Sequence, residues 1–475
     1  MKTGRTTLSA TLAFALVACG GSSTPPPPTQ GGPTPTPTPT TAACAISEQI
    51  AFADAVLDEW YLFPNLLDNS VNPANFSDVQ SFLDARVAPA RAQSRDKGFT
   101  FATSIAEENA LINSGSSAGF GIRLAYDTVN NRVFLLEAFE NANGFAAGMD
   151  RGTELLAIGT TSANLQTVSS LMASGGPQAV IDALGPSNAG VTRVLRFAQL
   201  GGNVIETSVT KSDFPLDPIS DRYGALILND GGKKVGYLNL RTFIVSDAAN
   251  QLRDAFQLFG SEGVTELILD LRYNGGGLVS VADTMGDLMG LGNVGQVWSE
   301  TVLRPSKSSE NSTELFENEV NAIQPTKIAI IGTRSTASAS ELVTNSMIPY
   351  VGNGMALIGS DTSGKPVGQF GFDLAACDLR VRAVTFQTLN ADGNGEYFDG
   401  LASVMPNTCR ANDDIFTPFG DPTEASIATA LDFLAGRSCA STLTGGGQTT
   451  QSVGGREVLQ PARPNAAQYE IPGLY

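Results

Sequence analysis

Two short stretches carry the residues whose types and spacing could support nucleophilic chemistry. The first, "RSTASASELVTNSM" at residues 334–347, places hydroxyl side chains directly before an apolar helical run. A serine nucleophile needs a base to accept its proton, and this chain contains no histidine. A lysine, a carboxylate or a tyrosine would have to serve instead. The second stretch, "MALIGSDTSGKP" at residues 355–366, supplies a candidate base in Lys365.

A lysine can act as this base only when its amine is neutral. Its pKa would have to fall from ~10.4 to about 7–8, which destabilises the ammonium by roughly 4 kcal/mol. Burial among apolar residues can lower the pKa by that much. Lys365 lies between the apolar segments "ALIG" and "PVG", and its nearest acidic neighbour in the sequence is Asp361. This setting permits a neutral Lys365.

The serine stretch also matches a simpler structural pattern. Ser338 and Glu341 have the S-x-x-E spacing of a capping box, in which the two residues bond free amides at a helix start. Most such matches are caps and nothing more. The two roles are compatible, because the amides and the positive dipole end of a helix would also favour an attacking alkoxide.

A glycine-rich turn follows a strongly apolar strand in "LILDLRYNGGG". The three glycines, 275–277, would expose backbone N–H groups that suit a developing oxyanion. The alternative is that they form only a tight turn. A phosphate-binding loop is a further alternative, because Gly359-x4-Gly364-Lys365 matches its start. Pro366 argues against that loop, since the hydroxyl that would hold Mg²⁺ is missing.

The elements around these turns predict an α/β fold. From residue 233 onward, strands such as "VGYLNLRTF", "VTELILDLR", "KIAIIG" and "MALIG" alternate with helical segments, which is typical of βαβ units. Residues 46–110 have helical periodicity and predict a small region with two helices. Beyond Cys439, the C-terminal tail, 440–475, has no pattern that assigns it to a structure.

Residues 115–212 contain five strand-like runs with turn signals between them. With "GFGI" at their start and "AFENANGFAAGMDRGTELLAIG" after it, they resemble a PDZ domain. The resemblance implies that an extended peptide adds to a sheet edge while the glycine-rich loop holds its C-terminal carboxylate. The loop residues would be Gly119, Phe120, Gly121 and Ile122. The alternative is an unrelated β-domain in which Gly-Phe-Gly is merely a turn.

The N-terminus predicts export. Residues 1–19 have a cationic start, an apolar run and then Cys19 in "LVACGG", which resembles a bacterial lipobox with a lipidated cysteine. The alternative is an ordinary cleaved signal peptide. The Pro/Thr-rich segment 20–45 reads as a tether to a membrane surface. We therefore expect a lipid-anchored protein of the cell envelope, on the periplasmic side of the outer membrane.

Composition narrows the function classes further. The chain has 475 residues, is 42% hydrophobic and carries a formal net charge of −18, so nucleic acid is not an expected partner. Four cysteines besides Cys19 suggest two disulfides in an exported chain, with three connectivities possible. The favoured pairing is Cys377–Cys409 with Cys44–Cys439, which would close the N-terminus of the body onto its C-terminus.

The motifs "VGYLNLRTF", "LILDLRYNGGG", "STASASELV", "IGSDTSGKPVGQ" and "NGEYFDGL", in this order after the PDZ-like region, resemble those of the carboxy-terminal processing peptidases, or tail-specific proteases. The resemblance implies that Ser338 is the nucleophile and Lys365 the general base. It also implies that Gln369 orients the lysine and that Ala339 and Gly276 supply the oxyanion hole. No metal or organic cofactor is implied.

The resemblance covers about residues 45–435 and favours the exported lipoprotein branch of the family. It implies a crotonase-like (ClpP/crotonase-type) α/β catalytic core at 220–439 with the PDZ-like domain inserted before it. Two departures from the family pattern concern the third catalytic member: Pro349 stands where many members carry an aspartate, and the spacing from Ser338 to Lys365 is about two residues longer than is common.

The sequence thus predicts a serine endopeptidase that recognises polypeptides by their C-termini and cleaves near them through an acyl-enzyme. The alternative is a catalytically silent PDZ lipoprotein that acts as a scaffold. The oligomeric state is not given by the sequence.

Overall fold

The computed structural model describes residues 44–439, 442–443 and 455–475. The predicted signal peptide, Cys19 and nearly all of the predicted tether lie outside the described residues. Within them, no helix has the length and apolarity needed to cross a bilayer. The fold is mixed α/β with several sheets, as the sequence predicts.

A six-stranded sheet, here called the catalytic sheet, carries the alternating elements. Its strands, in spatial order, are Ala225–Asp230, Lys233–Asn239, Glu266–Asp270, Lys327–Gly332, Met355–Gly359 and Thr408–Arg410. The first pair is antiparallel and every later pair is parallel. The crossover helices are Ala248–Ser261, Val279–Leu288 and Ala339–Val351, and Ala425–Leu434 packs against the other face. Helices on both faces explain why the central strands are apolar throughout.

Parallel register brings the three chemistry-bearing turns to one edge of this sheet. Asp270 pairs with Ile331, and Gly332 pairs with Gly359, so the three strands end side by side. Three turns follow those strand ends: the glycine turn (271–277), the serine turn (333–338) and the lysine turn (360–366). Side chains far apart in the sequence therefore meet at the carboxyl edge, where α/β sheets usually keep their sites.

A second sheet joins the N-terminal region to the catalytic half. Its strands are Phe101–Ser104, Leu379–Leu389, Val297–Leu303 and Ser312–Leu315, with Val367–Leu374 also pairing to Leu379–Leu389. Helices Ile46–Trp60 and Val79–Arg86 confirm the two predicted helices, and Ala88–Ala92 adds a short third one. The prediction of a purely helical region is wrong at Phe101–Ser104, because its strand partner lies about 280 residues away and leaves no local signal.

The region predicted to be PDZ-like forms a third sheet, here called the β-domain sheet. Its strands are Ile122–Asp127, Arg132–Ala138, Glu154–Gly159, Gln166–Thr167, Thr192–Ala198 and Val204–Thr210, with helices Asn143–Ala146 and Val168–Leu184. Strands Ser116–Gly119 and Ser212–Pro215 pair at its base, and helix Ile105–Ser114 precedes it. The tail contributes a seventh strand, Glu457–Val458, and a helix, Ala466–Glu470.

The disulfide pairing predicted from the sequence is wrong. Cys44 bonds Cys377, and Cys409 bonds Cys439. The first bridge fastens the start of the helical region to the second sheet, and the second spans only 30 residues at the end of the catalytic sheet. The prediction assumed that the two ends of the body close onto each other, whereas the fold brings Cys44 to the turn Ala375–Cys377 and Cys439 to strand Thr408–Arg410.

A buried ion network joins the β-domain sheet to the catalytic sheet. Glu137, on strand Arg132–Ala138, accepts from Arg123 Nη1 at 3.0 Å and from Arg241 Nε at 2.6 Å. All three side chains are at most 2% exposed. Arg241 follows strand Lys233–Asn239, so this carboxylate links the two sheets rigidly.

We expect Glu137→Ala to lower the free energy of unfolding by about 3–5 kcal/mol, because Arg123 would keep a buried charge with no ion-pair partner. Glu206→Ala is the matched control, since it removes the surface pair with Arg196 and should cost less than about 1 kcal/mol. Urea unfolding followed by circular dichroism measures both. Equal losses in the two variants would contradict the network's role.

Candidate active site

Ser338 stands at the junction between strand Lys327–Gly332 and helix Ala339–Val351. It has φ +55° and ψ −116°, a conformation that non-glycine residues seldom adopt and that costs about 1–3 kcal/mol. The side chain is half-buried. Strain at a residue whose hydroxyl precedes a helix is typical of a functional position, and no residue pattern predicted it.

Glu341 holds the serine turn and the lysine turn together. Its Oε2 accepts from the backbone amides of Ser338 at 3.1 Å and Lys365 at 2.8 Å. Its Oε1 accepts from Thr362 Oγ1 at 2.6 Å and from Gly364 N at 2.8 Å. The predicted capping residue is therefore also the bridge between the candidate nucleophile and the candidate base. The sequence signal was present in S-x-x-E, but only its capping role was recognised.

Lys365 is buried, with 9% of its surface exposed. Its Nζ donates to Gln369 Oε1 at 2.8 Å, and Gln369 Nε2 in turn donates to the carbonyl of Phe99. The predicted orienting residue thus contacts the lysine directly. Within the part of the chain that the structure describes, Nζ bonds Gln369 and not Ser338 Oγ.

Burial lowers the pKa of Lys365 below its usual range, while the carboxylates of Glu470, Asp96 and Glu341 act in the opposite direction. Asp361 is the nearest acid to Lys365 along the sequence, but sequence neighbours do not predict which carboxylates act on the amine in the fold. The fold brings acids from the N-terminal region, the serine helix and the tail to the same amine. The net shift favours a neutral lysine, as a general base requires.

The glycine turn lies against the serine. A β-carbon at Gly276 would lie 2.7 Å from Ser338 Cβ and 3.0 Å from Ala339 N, and its φ is +113°, so only glycine fits. The Gly276 N–H, however, donates to Asn274 Oδ1 at 2.9 Å. The adjacent Gly275 N–H instead points to the carbonyl of Glu470 at 3.0 Å. The Gly275 N–H thus already binds a carbonyl oxygen, as an oxyanion donor would, while Gly276, the donor that the resemblance implies, stays a prediction.

Asn274 is a positioning residue that sequence reasoning missed. Its carbonyl accepts from Ala337 N at 3.0 Å and from Ser340 Oγ at 3.2 Å, and its Nδ2 donates to Leu240 O at 2.9 Å. These bonds connect the glycine turn to the serine turn. The signal was its place in "RYNGGG", where an asparagine before three glycines reads as an ordinary turn residue.

The predicted peptide-binding loop is occupied by the chain's own C-terminus. Ile122 N donates to Tyr475 O at 3.1 Å, and Tyr475 N donates to Ile122 O at 2.8 Å. A β-carbon at Gly119 would lie 2.8 Å from the carbonyl carbon of Tyr475. Phe120 is fully buried and Gly121 has φ +70°. The loop and the three turns are thus connected by the tail, which the sequence could not assign.

The lysine turn has no room for a phosphate. The amides of Gly364 and Lys365, which would cradle one, both bond Glu341. This contradicts the phosphate-loop alternative. Among the described residues, no group of three or more histidines, cysteines, aspartates and glutamates is placed to hold a metal ion.

Comparison with known proteins gives the class of this chain, a serine peptidase and hence a hydrolase. Residues 234–402 match the family model described as Peptidase family S41, a range that contains all three turns. The chain therefore carries a peptidase family S41 domain, which confirms the resemblance seen in its motifs.

Relatives agree with this assignment. A carboxyl-terminal-processing protease from Picosynechococcus sp. is 25% identical over 334 residues, covering 68% of this chain and 71% of that protein. A CtpA-like serine protease from Staphylococcus aureus is 32% identical over 139 residues, 29% of this chain and 26% of that protein. A candidate S41 protease from Bacteroides fragilis has a similar fold, with TM-score 0.62 and 22% identity over 81% of this chain and 97% of that one.

Proposed function

We propose that this protein is a serine endopeptidase that cleaves polypeptides near their C-termini with Ser338 as nucleophile and Lys365 as general base. The observation that carries the proposal is the Glu341 carboxylate, one oxygen of which accepts from the backbone amides of both residues. A family assignment names the class, whereas this bridge supports the particular pair.

In the first step the neutral Lys365 amine accepts the Ser338 Oγ proton while Oγ attacks the scissile carbonyl carbon. The amide groups of Gly275 and Ala339 donate to the oxyanion that forms. The resulting ammonium protonates the leaving amine, the C–N bond breaks, and an ester to Ser338 remains. Lys365 then takes a proton from a water molecule as the water oxygen attacks the ester carbonyl carbon. The bond from that carbon to Ser338 Oγ breaks, the Lys365 ammonium returns the proton to Oγ, and the acyl product leaves as a carboxylic acid.

In this scheme Gln369 orients the Lys365 amine so that its lone pair is available to the serine hydroxyl. A neutral amine has N–H groups and one lone pair, and the Gln369 carbonyl oxygen accepts one of the N–H groups. The lone pair is then left for the serine hydroxyl. The link from Gln369 to the carbonyl of Phe99 fixes the amide itself, so the N-terminal region supports the base.

The β-domain is proposed to be a PDZ domain and the catalytic sheet part of a crotonase-like core. Support for the first comes from strand Ile122–Asp127, whose edge pairs with an extended segment ending in the chain terminus. Substrates would enter as C-terminal segments along this edge. The rival, a silent PDZ scaffold, has no use for a buried lysine whose pKa is lowered beside a strained serine.

A fluorophosphonate probe tests the proposal. We expect it to form a covalent adduct on Ser338, located by mass spectrometry of the digested protein, in the full chain and in a chain that lacks residues 455–475. Ser338→Ala should show no adduct, and Ser335→Ala, in the same stretch, should label as the wild type does. Labelling that persists in Ser338→Ala would contradict the assignment.

We further propose that Cys19 is lipidated, becomes the first residue when residues 1–18 are removed, and anchors the body to a membrane of the cell envelope. The two disulfides support an oxidising compartment. Labelled palmitate should enter the wild type and be absent from Cys19→Ala, with the protein moving from the membrane to the soluble fraction. Equal labelling of both would contradict the anchor.

A further inference from the structure

The tail, here residues 455–475, fills the whole open edge of the β-domain sheet. Glu457 and Val458 pair with Tyr126 and Ala125, and Leu459 N donates to Leu124 O at 2.9 Å. Further along the same strand, Leu124 N donates to Gly473 O at 2.9 Å, and Tyr475 exchanges two bonds with Ile122. Without the tail, strand Ile122–Asp127 would be an edge strand with unpaired backbone groups.

The terminal side chains are buried as a ligand would be. Tyr475 is 3% exposed and lies in the core cluster of the β-domain, which also contains Phe120, Ile122, Val168, Leu171 and Met172. Leu474 and Ile471 are buried in a neighbouring cluster. A β-carbon at Gly119 would lie 2.8 Å from the carbonyl carbon of Tyr475, so glycine at this position lets Tyr475 pack directly against the loop.

The same segment crosses the catalytic turns before it reaches this groove. The Glu470 carbonyl accepts from Gly275 N, the proposed oxyanion donor, at 3.0 Å. A β-carbon at Gly275 would lie 3.0 Å from Tyr469 O, and the Tyr469 ring stacks on Phe101 at 3.6 Å between centroids. No described hydrogen bond joins the tail to Ser338 Oγ. A substrate backbone could not approach Gly275 while Glu470 is bonded there.

We propose that the tail is a tethered inhibitor, bound in the peptide groove and across the catalytic turns of its own chain, and that the C-terminus of a substrate protein must displace it. The inhibition of hydrolysis by the tail rests on the proposed function. The binding of the tail in the groove does not depend on catalysis.

The tail also acts on the base. Among the carboxylates near Lys365, Glu470 contributes most to raising the pKa of the lysine, against the lowering by burial. Departure of the tail removes this negative charge from the surroundings of the amine. Displacement therefore opens the cleft and changes the electrostatic surroundings of the base together.

The tail has one feature of a ligand that can be displaced. The Tyr475 hydroxyl is buried and has no hydrogen-bond partner among the described residues. A buried, unpaired hydroxyl weakens binding, so a terminus ending in phenylalanine should bind the groove about 5-fold or more tightly than one ending in tyrosine. Loss of the ring, as in a terminus ending in alanine, should weaken binding by about 10-fold or more.

Removal of residues 455–475 tests the inhibition. We expect hydrolysis of fluorescein-labelled casein to rise at least about 10-fold over the full chain. The synthetic peptide PNAAQYEIPGLY (residues 464–475) with a free carboxylate should inhibit the shortened chain, and the same peptide as a C-terminal amide should inhibit it at least about 10-fold less. Inhibition in trans also shows that the shortened chain is folded.

Two further measurements distinguish a failure of the inhibitor proposal from a failure of the proposed function. A full chain extended by Gly-Ser-Gly-Ser keeps every buried side chain but has no free terminus at 475, and it should hydrolyse casein faster than the wild type. Fluorescence anisotropy with the labelled peptide on the shortened Ser338→Ala chain measures groove binding without catalysis.

If the labelled peptide binds the groove but no form of the chain hydrolyses casein, the proposed function is rejected. The tail would then still be a tethered ligand of the groove. Equal hydrolysis by the full, shortened and extended chains, with no peptide binding, would reject the inhibitor. Intact mass showing that Ser338 removes residues from the wild-type tail would also overturn it, because the tail would then be a substrate.

Discussion

Replacing Lys365 by methionine is expected to lower kcat for casein hydrolysis by at least about 1000-fold, measured in the chain that lacks residues 455–475. Methionine keeps the length and the apolar contacts of the side chain but cannot accept a proton. The magnitude is that of losing a catalytic base, since backbone donors and substrate binding supply only a residual rate. Because the amine is buried, its replacement by an apolar group should leave stability nearly unchanged.

The pH dependence distinguishes a base from a residue that only positions substrate. The base must be neutral, so the wild-type rate should rise as pH rises through the pKa of Lys365, which burial places below its usual value of 10.5. The residual rate of Lys365→Met should lack the limb. An unchanged rate in Lys365→Met would end the proposed dyad.

The catalytic half was predictable because its signals are local. Alternating apolar strands and amphipathic helices fix the order of elements, and parallel pairing then brings the strand ends to one edge whatever the intervening loops contain. Ser338, Lys365 and Gln369 were named from motifs, and the structure places Gln369 on the lysine. The five strand-like runs predicted for the β-domain also form strands, separated by the turns that their sequence indicates.

The predictions that failed concern residues whose contacts in the fold are distant in the sequence. Strand Phe101–Ser104 exists because Leu379–Leu389 pairs with it, and the disulfide pairing follows the folded positions of the cysteines. The choice of Gly275 instead of Gly276 as oxyanion donor is a proposal, and it depends on a hydrogen bond from the Gly276 amide to Asn274 that no motif indicates. The tail is polar and Gly/Pro-rich in the sequence, so its helix and strand arise only because the groove and the cleft receive them.

Glu341→Ala is expected to lower kcat by about 100-fold or more, although Glu341 is a positioning residue and need not touch substrate. Its carboxylate satisfies the amides of Ser338, Gly364 and Lys365, and without it the two turns would shift relative to each other. A displacement of about 1 Å at a reacting group can cost that factor. Glu341→Gln should not rescue, because its NH₂ group would face N–H donors wherever it points.

The readout that separates this role from a loss of stability is the comparison with Glu137→Ala. Both variants remove a buried carboxylate, and each should destabilise the chain by several kcal/mol, roughly 3 or more. At a temperature where both variants are folded, only Glu341→Ala should lower kcat, because Glu137 lies outside the three turns. The KM of Glu341→Ala should change much less than its kcat. If the two lose activity in proportion to stability alone, the bridge is a structural cap, and the juxtaposition of Ser338 with Lys365 needs another cause.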